Sequence, residues 1–274
     1  MKLYAEMINL GRAKDRRDHM TAELQSAGIS ADFFPAFDYT EHSDEETLSY
    51  CRPDGPWGVF PKPNMAATIS HAQAWERFLA SDATHCLIME DDIFISPELR
   101  EWLNDFSWWP EDADIVKLER WRSENQFVLL ENLGHADHLG RQIRSVLSRH
   151  MGAAGYLLSR SAAKKLLASR PFGMVVDHIL FNVNASAVSK KFRIYQIQPA
   201  LVVQGNEPPN ATFYMGERQR PKGKALLKQK LKRGYYELAY SPRTILKALS
   251  GKARTARISY ASTVLKPQPD SSER

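Results

Sequence analysis

Three adjacent carboxylates, Glu90, Asp91 and Asp92, separate two apolar runs in the stretch THCLIMEDDIFI, residues 84–95. Unpaired charge in apolar surroundings is costly. The window holds no Lys or Arg, so the neutralising partner comes from a distant side chain, from water or from a metal ion. In an extended chain alternate side chains share a face. Glu90 and Asp92 then point together and Asp91 points away. Two hard oxygen donors on one side of a strand end suit Mg²⁺ or Mn²⁺, which commonly take one or two protein carboxylates and complete the shell with substrate phosphate. The plainer reading is a solvated turn whose Asp side chains bond nearby backbone. The apolar flanks favour the metal, because a surface turn has no need of core strands on both sides.

The elements that must hold these groups follow from hydrophobic periodicity. Leu3–Leu10 reads as a strand, Ala13–Ala27 as a helix with Gly28 at its C-cap, and ADFFPAFD as a second strand ending near Asp38. Residues 40–63, rich in Pro and Gly, read as a loop. A helix over Asn64–Leu79 and a short apolar strand over Cys86–Met89 follow. Ser96 is placed as N-cap and Pro97 at the first position of the next helix. Ile115–Leu118 is a strand, residues 121–150 are irregular or weakly β, and MGAAGYLLS is a strand before a helix over Arg160–Ser169. FRIYQIQPALVVQ is strand-like on either side of Pro199. Strands alternating with helices predict an α/β fold with a mostly parallel sheet, with the ligand site beyond the carboxyl ends of the strands.

Composition sets the outer limits. The chain has 274 residues, 43% hydrophobic and 25% charged, which are ordinary globular values. Two cysteines, Cys51 and Cys86, make no disulfide framework, and Cys86 in an apolar run reads as an inert core thiol. No signal-peptide pattern is present, and no stretch has the length of a membrane span. A cytoplasmic protein is expected. The net charge of +5 is divided: residues 218–274 carry +12 and residues 1–217 carry −7. The expected organisation is therefore a 1–217 domain followed by a 218–274 basic helical tail, interrupted at Pro242 and Gly251 and disordered at its end. Such asymmetry points to an anionic surface, membrane or nucleic acid. HADH carries His135 and His138 at i, i+3 with no third ligand in view, and a zinc site there is rejected.

Six short motifs, in order, resemble glycosyltransferase family 25, the lipopolysaccharide and lipooligosaccharide glycosyltransferases that also include collagen galactosyltransferases. They are MINLGRAKDRRDHM (Met7–Met20), FFPAFD, ISHAQAW (Ile69–Trp75), LIMEDDIFIS, GAAGYLLSRSAAKKLL and VVDHILF. Ala66-Ala67 stands where relatives often have Gly-Cys. The resemblance implies a GT-A-like fold, a nucleotide-sugar donor and usually inversion at the anomeric carbon. It gives the acidic triplet the part of the Asp-x-Asp motif, with Glu90 and Asp92 as metal ligands and Mn²⁺ or Mg²⁺ meeting the donor diphosphate. Arg12, directly after the first strand, and Asp38, at the end of the second, are read as donor contacts, against a solvated helix-start residue and a turn Asp. Ser70 and His71 lie in a helix beneath the site, where His71 reaches phosphate or is a buried structural histidine. Asn9, Asp91 and Gly155 are placed on the donor side with them. Arg16 and Arg17 are read as solvated helix charges. Gly152 and Gly155 lack dinucleotide-fingerprint spacing, but small residues there would let backbone approach the sugar.

An inverting transfer needs a base for the acceptor hydroxyl. Asp177, between two apolar runs, is the first choice, against the alternative of a helix N-cap. Asp114 and Glu119, flanking the IVKL strand, are the runners-up. The expected reaction moves a hexose from a nucleotide sugar, a UDP-sugar by expectation, to a lipopolysaccharide core or related glycan, with a glycolipid or oligosaccharide acceptor. The tail would act as a foot on the inner face of the cytoplasmic membrane, and nucleic acid is the less favoured partner. The rival readings are a non-catalytic membrane- or nucleic-acid-binding protein on a transferase-like scaffold, and a nucleotidyltransferase.

Overall fold

The computed structural model describes residues 1–122, 125–132, 136–205 and 222–264. The chain begins β1 (Leu3–Asn9), α1 (Lys14–Ala27), β2 (Asp32–Pro35) and α2 (Asp44–Tyr50). A two-strand hairpin, β3 (Asp54–Gly55) and β4 (Gly58–Val59), leads into α3 (Lys62–Ala80), β5 (His85–Glu90), β6 (Ile93–Ile95) and α4 (Leu99–Asn104). Then come β7 (Ile115–Lys117), β8 (Glu119–Arg120), β9 (Phe127–Glu131), β10 (Ala136–His138), β11 (Arg141–Ser145) and β12 (Gly155–Ser159). The last part is α5 (Arg160–Leu167), α6 (Val176–Phe181), β13 (Ile194–Gln198), β14 (Val202–Gln204), α7 (Gly223–Leu249) and β15 (Ala253–Arg257).

Eight strands form the central sheet in the order β10-β11-β13-β7-β12-β5-β1-β2. Helices cover both faces, so β5 reads as a continuous apolar run, as a strand buried on both sides should. Cys86 and Ile88 enter the core on the side of α3, α5 and α6. Leu87 and Met89 enter the opposite core, with Met20 and Leu24 of α1 and Leu99 and Trp102 of α4. Cys86 is fully buried and unpaired, the inert core thiol expected.

The α/β architecture agrees with the sequence, but the sheet is mixed rather than mostly parallel. β1 runs parallel to β2 and β5, and β7 to β13, while the other four pairings are antiparallel. A parallel return needs a crossover, usually helical. Between β7 and β12 the described chain forms strands β8–β11 instead. It re-enters the sheet at the edge it left, and β12 runs back antiparallel between β5 and β7.

Three local expectations also change. The 40–63 loop contains α2, capped by Ser43, whose hydroxyl accepts from the Glu46 amide while the Glu46 carboxylate accepts from the Ser43 amide. That is a capping box, legible in S-D-E-E. Helix α4 starts at Leu99, with Glu98 at its cap position; the Ser96 hydroxyl accepts from the Glu98 amide at 3.2 Å, just ahead of the helix, and donates to Ser262 O at 2.5 Å. Helix α7 runs through Pro242 and stops at Leu249. Nor is the basic segment detached. β15 pairs antiparallel with β9 over five residues, Ser259 O accepts from Ala200 N, and Val264 N donates to Glu98. The 217/218 boundary, His135 and the terminal ten residues lie outside the described residues.

Candidate active site

The C-terminal ends of β1, β5 and β7 and the N-terminal end of β12 meet at one edge of the sheet. A cavity of about 380 Å³ opens there. Its floor carries Glu90, Asp92 and Asp177; its walls include Arg16, Arg122, Gly152 and Gln204; Trp57 and Trp121 supply aromatic surface. The end of β5 and the turn beyond it sort the triplet. Glu90 follows the α3 side and meets His71 Nε2 at 3.1 Å. Asp91 follows the α1 side, accepting from Asn9 Nδ2 at 2.8 Å and from Arg16 Nη1 at 2.9 Å. Asp92, in the turn beyond, accepts from Arg122 at 2.8 Å and from Gln204 Nε2 at 3.0 and 3.1 Å.

Distant side chains therefore neutralise part of the triplet. Arg16 is not a solvated helix charge: its side chain is 14% exposed and paired with Asp91. Among the described residues the ion-pair contact of Glu90 is with His71 alone. Its carboxyl is pushed up to about 8, first by burial and then by Asp92, Asp91 and Asp177. His71 does not relieve it, since burial lowers that imidazole to about 3 and keeps it neutral. Trp75 Nε1 donates to the Tyr156 hydroxyl at 2.9 Å, and that hydroxyl lies 2.8 Å from His71 Nδ1. The hydroxyl proton then goes to Nδ1, and Nε2–H is left to donate to Glu90.

A surplus of negative oxygen on the cavity floor suits a hard divalent cation. Among the described residues no group of three or more His, Cys, Asp and Glu is arranged to hold a metal ion. Glu90 and Asp92 are the only pair from the triplet that faces the cavity. Two carboxylates with substrate phosphate completing the shell is the pattern such ions accept, so the donor set fits an ion that arrives with its substrate.

The other expected residues separate. Asp177 lines the cavity, accepting from His178 N at 2.7 Å and from Gly152 N at 3.4 Å. It is not the helix cap; Val175 holds that place in α6. Asp114 lies at the far end of β7, bound to Lys165 and to the Arg193 amide, so it is removed as a base. Glu119 is fully buried outside the cavity lining, 3.3 Å from Lys117 Nζ and accepting from Ala154 N at 2.9 Å. Lys117 in turn donates to Met151 O and Gly152 O. The pair braces the 151–154 wall and does not touch the cavity.

Gly155 is also behind the wall: a side chain there would meet Val202 at 3.0 Å, so its smallness serves packing. Of the two, Gly152 lines the cavity, with φ +86 and Glu119 where a Cβ would sit. Ser70 is structural, donating to Ala66 O and accepting from Phe37 N. Arg12 and Asp38 pair with each other away from the cavity lining. Asp38 lies beyond β2, which ends at Pro35. Burial tends to raise its carboxyl, but Thr40 and Arg12 outweigh that and hold it low.

Sequence reading missed Trp57, Arg122 and Gln204. Trp57 sits in the supposed loop, on the β3–β4 hairpin. Its ring contacts Arg149 and Arg233, each at 5.4 Å, and His178 at 5.0 Å. Aromatic residues amid Pro and Gly were the available signal. Arg122 and Gln204 carried none.

The sequence profile of glycosyltransferase family 25 (LPS biosynthesis protein) matches residues 4–180. The chain belongs to glycosyltransferase family 25. The matched span holds all three floor carboxylates and ends just after Asp177; Gln204 and α7 lie beyond it. The lacto-N-neotetraose biosynthesis glycosyltransferase LgtB of Neisseria gonorrhoeae is 29% identical over 59% of this chain, and the match spans 58% of that protein. The lipooligosaccharide biosynthesis protein lic2B of Haemophilus influenzae is 25% identical over 90% of this chain and 94% of its own length. Among solved structures, a glycosyltransferase involved in glycosylation of the major capsid of PBCV-1 aligns with 74% of this chain and 93% of its own, at a TM-score of 0.40 and 11% identity.

Proposed function

We propose that this family-25 glycosyltransferase moves a hexose from a nucleotide sugar, a UDP-sugar by preference, onto a lipooligosaccharide or lipopolysaccharide core, with inversion at the anomeric carbon. The observation that carries the reading is the convergence of Glu90, Asp92 and Asp177 on one cavity at the strand ends. A relative named for lipooligosaccharide biosynthesis and one named for lacto-N-neotetraose biosynthesis support the acceptor class.

Glu90 and Asp92 would hold Mn²⁺ or Mg²⁺, which supplies positive charge to the departing nucleoside diphosphate. His71, fixed through Tyr156 and Trp75, orients Glu90. Arg122 holds Asp92 in place and faces the same cavity. Asp177 takes the proton of the acceptor hydroxyl as its oxygen bonds to the anomeric carbon and the carbon–phosphate-oxygen bond breaks. Backbone N–H groups fix the Asp177 carboxylate, so it meets the hydroxyl already oriented. Trp57, packed against Arg149, Arg233 and His178, supplies apolar wall to the cavity.

A thermal-shift screen of nucleotide sugars with and without Mn²⁺ tests the donor, since a ligand bound to the native state raises its stability. Selective, Mn²⁺-dependent stabilisation followed by release of a nucleoside diphosphate is expected. Release of pyrophosphate instead would make the protein a nucleotidyltransferase, and no turnover with any nucleotide sugar would end the reading.

A further inference from the structure

Helix α7 has two unlike faces. On the inner one, Lys232 donates to Gly55 O at 2.7 Å and Arg233 to Trp57 O at 2.9 Å. Tyr236 and Tyr240 pack on the core, and Glu237 pairs with Arg149. The outer one is apolar and bare. Leu227, Leu231, Tyr235, Leu238, Ile245 and Leu249 are between 53% and 81% exposed. Their spacing of three, four and seven keeps them on one stripe, which from Leu227 to Leu249 is about 33 Å long. Exposed Lys224, Lys228, Lys230 and Arg243 accompany it, and the helix as a whole holds seven basic residues against Glu237.

We infer that this outer face is a docking surface for an anionic lipid bilayer. A bilayer accepts both halves of the pattern at once: leucines enter the boundary between headgroups and acyl chains, and lysines meet the headgroup charge, each worth about 1 kcal/mol near such a surface. The charge distribution disfavours the other occupants. A second copy, related by a two-fold axis, would bring the same lysines together. A nucleic acid would satisfy the lysines and leave the aliphatic stripe in water. No helix among the described residues is long and apolar enough to cross a membrane, so α7 would lie on the surface. Because Arg233 on its inner side lines the cavity, docking would set that cavity next to the lipid. This last consequence rests on the transferase reading; the docking itself does not.

The test is co-sedimentation of the full chain with phosphatidylglycerol/phosphatidylcholine vesicles and with phosphatidylcholine alone, at low and high salt. Donor turnover onto water or a soluble sugar is followed in parallel. The wild type should sediment with the anionic vesicles and release as salt rises. The triple variant Leu227→Glu/Leu231→Glu/Leu238→Glu should bind at least about tenfold more weakly with turnover unchanged, and Lys228→Glu/Lys230→Glu should weaken binding to anionic vesicles alone. The inference fails if the wild type stays in solution, or if the triple variant sediments as the wild type does. It fails equally if the wild type is a dimer that the triple variant splits without either binding lipid, or if the wild type binds RNA and no vesicle. Vesicle binding without turnover would sink the transferase reading and leave the docking surface standing.

Discussion

Glu90 and Glu119 are both strand-end glutamates with carboxyls pushed upward, to about 8 and about 7, and burial is the first cause in each. Their surroundings differ. Glu119 is sealed in the wall with Lys117 at 3.3 Å. Glu90 opens on the cavity among further carboxylates, facing a neutral histidine. One environment has supplied its own counter-charge and is closed; the other lacks one and is open. A raised pKa marks a functional candidate only with access to a ligand, and the contrast shows why Glu119 falls from the list of bases while Glu90 stays a candidate metal ligand.

The sharpest way to break this contrast is at the open cluster. Asp92→Asn should abolish metal-dependent donor binding and lower transfer about 10³-fold or more, with the fold intact by circular dichroism. Full activity in that variant, or in wild type under chelator, would remove the metal proposal. Asp177→Asn should cut kcat by about 10²-fold with donor affinity nearly unchanged, measured by steady-state kinetics and donor titration. Loss of donor affinity instead would move Asp177 from acceptor to donor.

At the closed cluster the readout is stability. The folded-state pKa of Glu119 lies above its ordinary 4.5, so the folded chain holds the proton longer than the unfolded one. Its stabilising share is present below about pH 4.5 and declines as pH rises to about 7, with a slope of at most about 1.4 kcal/mol per pH unit. Glu119→Gln should flatten that slope in urea melts and leave kcat within about threefold; a 10²-fold loss would return Glu119 to the chemistry. Smallest is Arg12→Ala. The Arg12 side chain is 39% exposed but its partner Asp38 is buried; with Thr40 still bonded to the carboxylate, the loss of stability should be about 1–2 kcal/mol. A clear rise in donor Kd in this variant would extend the nucleotide site to the end of β1.

Much of the site's backbone was legible. The run before Glu90 is apolar on both faces, and the expected grouping of Glu90 with Asp92 agrees with the cavity lining, although β5 ends at Glu90 and it is the turn beyond that brings Asp92 round. Asp177 was visible as a charge between apolar runs. What failed depended on pairing across the sheet. Only the missing crossover helix turns β12 antiparallel, and only that reversal places Gly152 in the cavity and Gly155 behind it. Arg16 looked solvated because its partner lies 75 residues away. Asp38 and Arg12 satisfied the composition of a nucleotide site, yet they satisfy each other. The capping box of α2 was written in the sequence and was passed over because Pro and Gly nearby suggested a loop.

The alternation along β5 acts as a reading frame. Glu90 and Asp91 are chemically similar neighbours, and their duties differ only because consecutive residues exit opposite faces. Deleting one residue within Leu87–Met89 would leave the acidic letters unchanged and exchange their meanings, turning a carboxylate meant for the cavity toward Asn9 and Arg16. Tolerance to substitution in this strand and tolerance to insertion or deletion should therefore be unrelated. A swap among Leu, Ile and Met would be absorbed by packing, while a shift of one position would scramble the message even with every side chain still present.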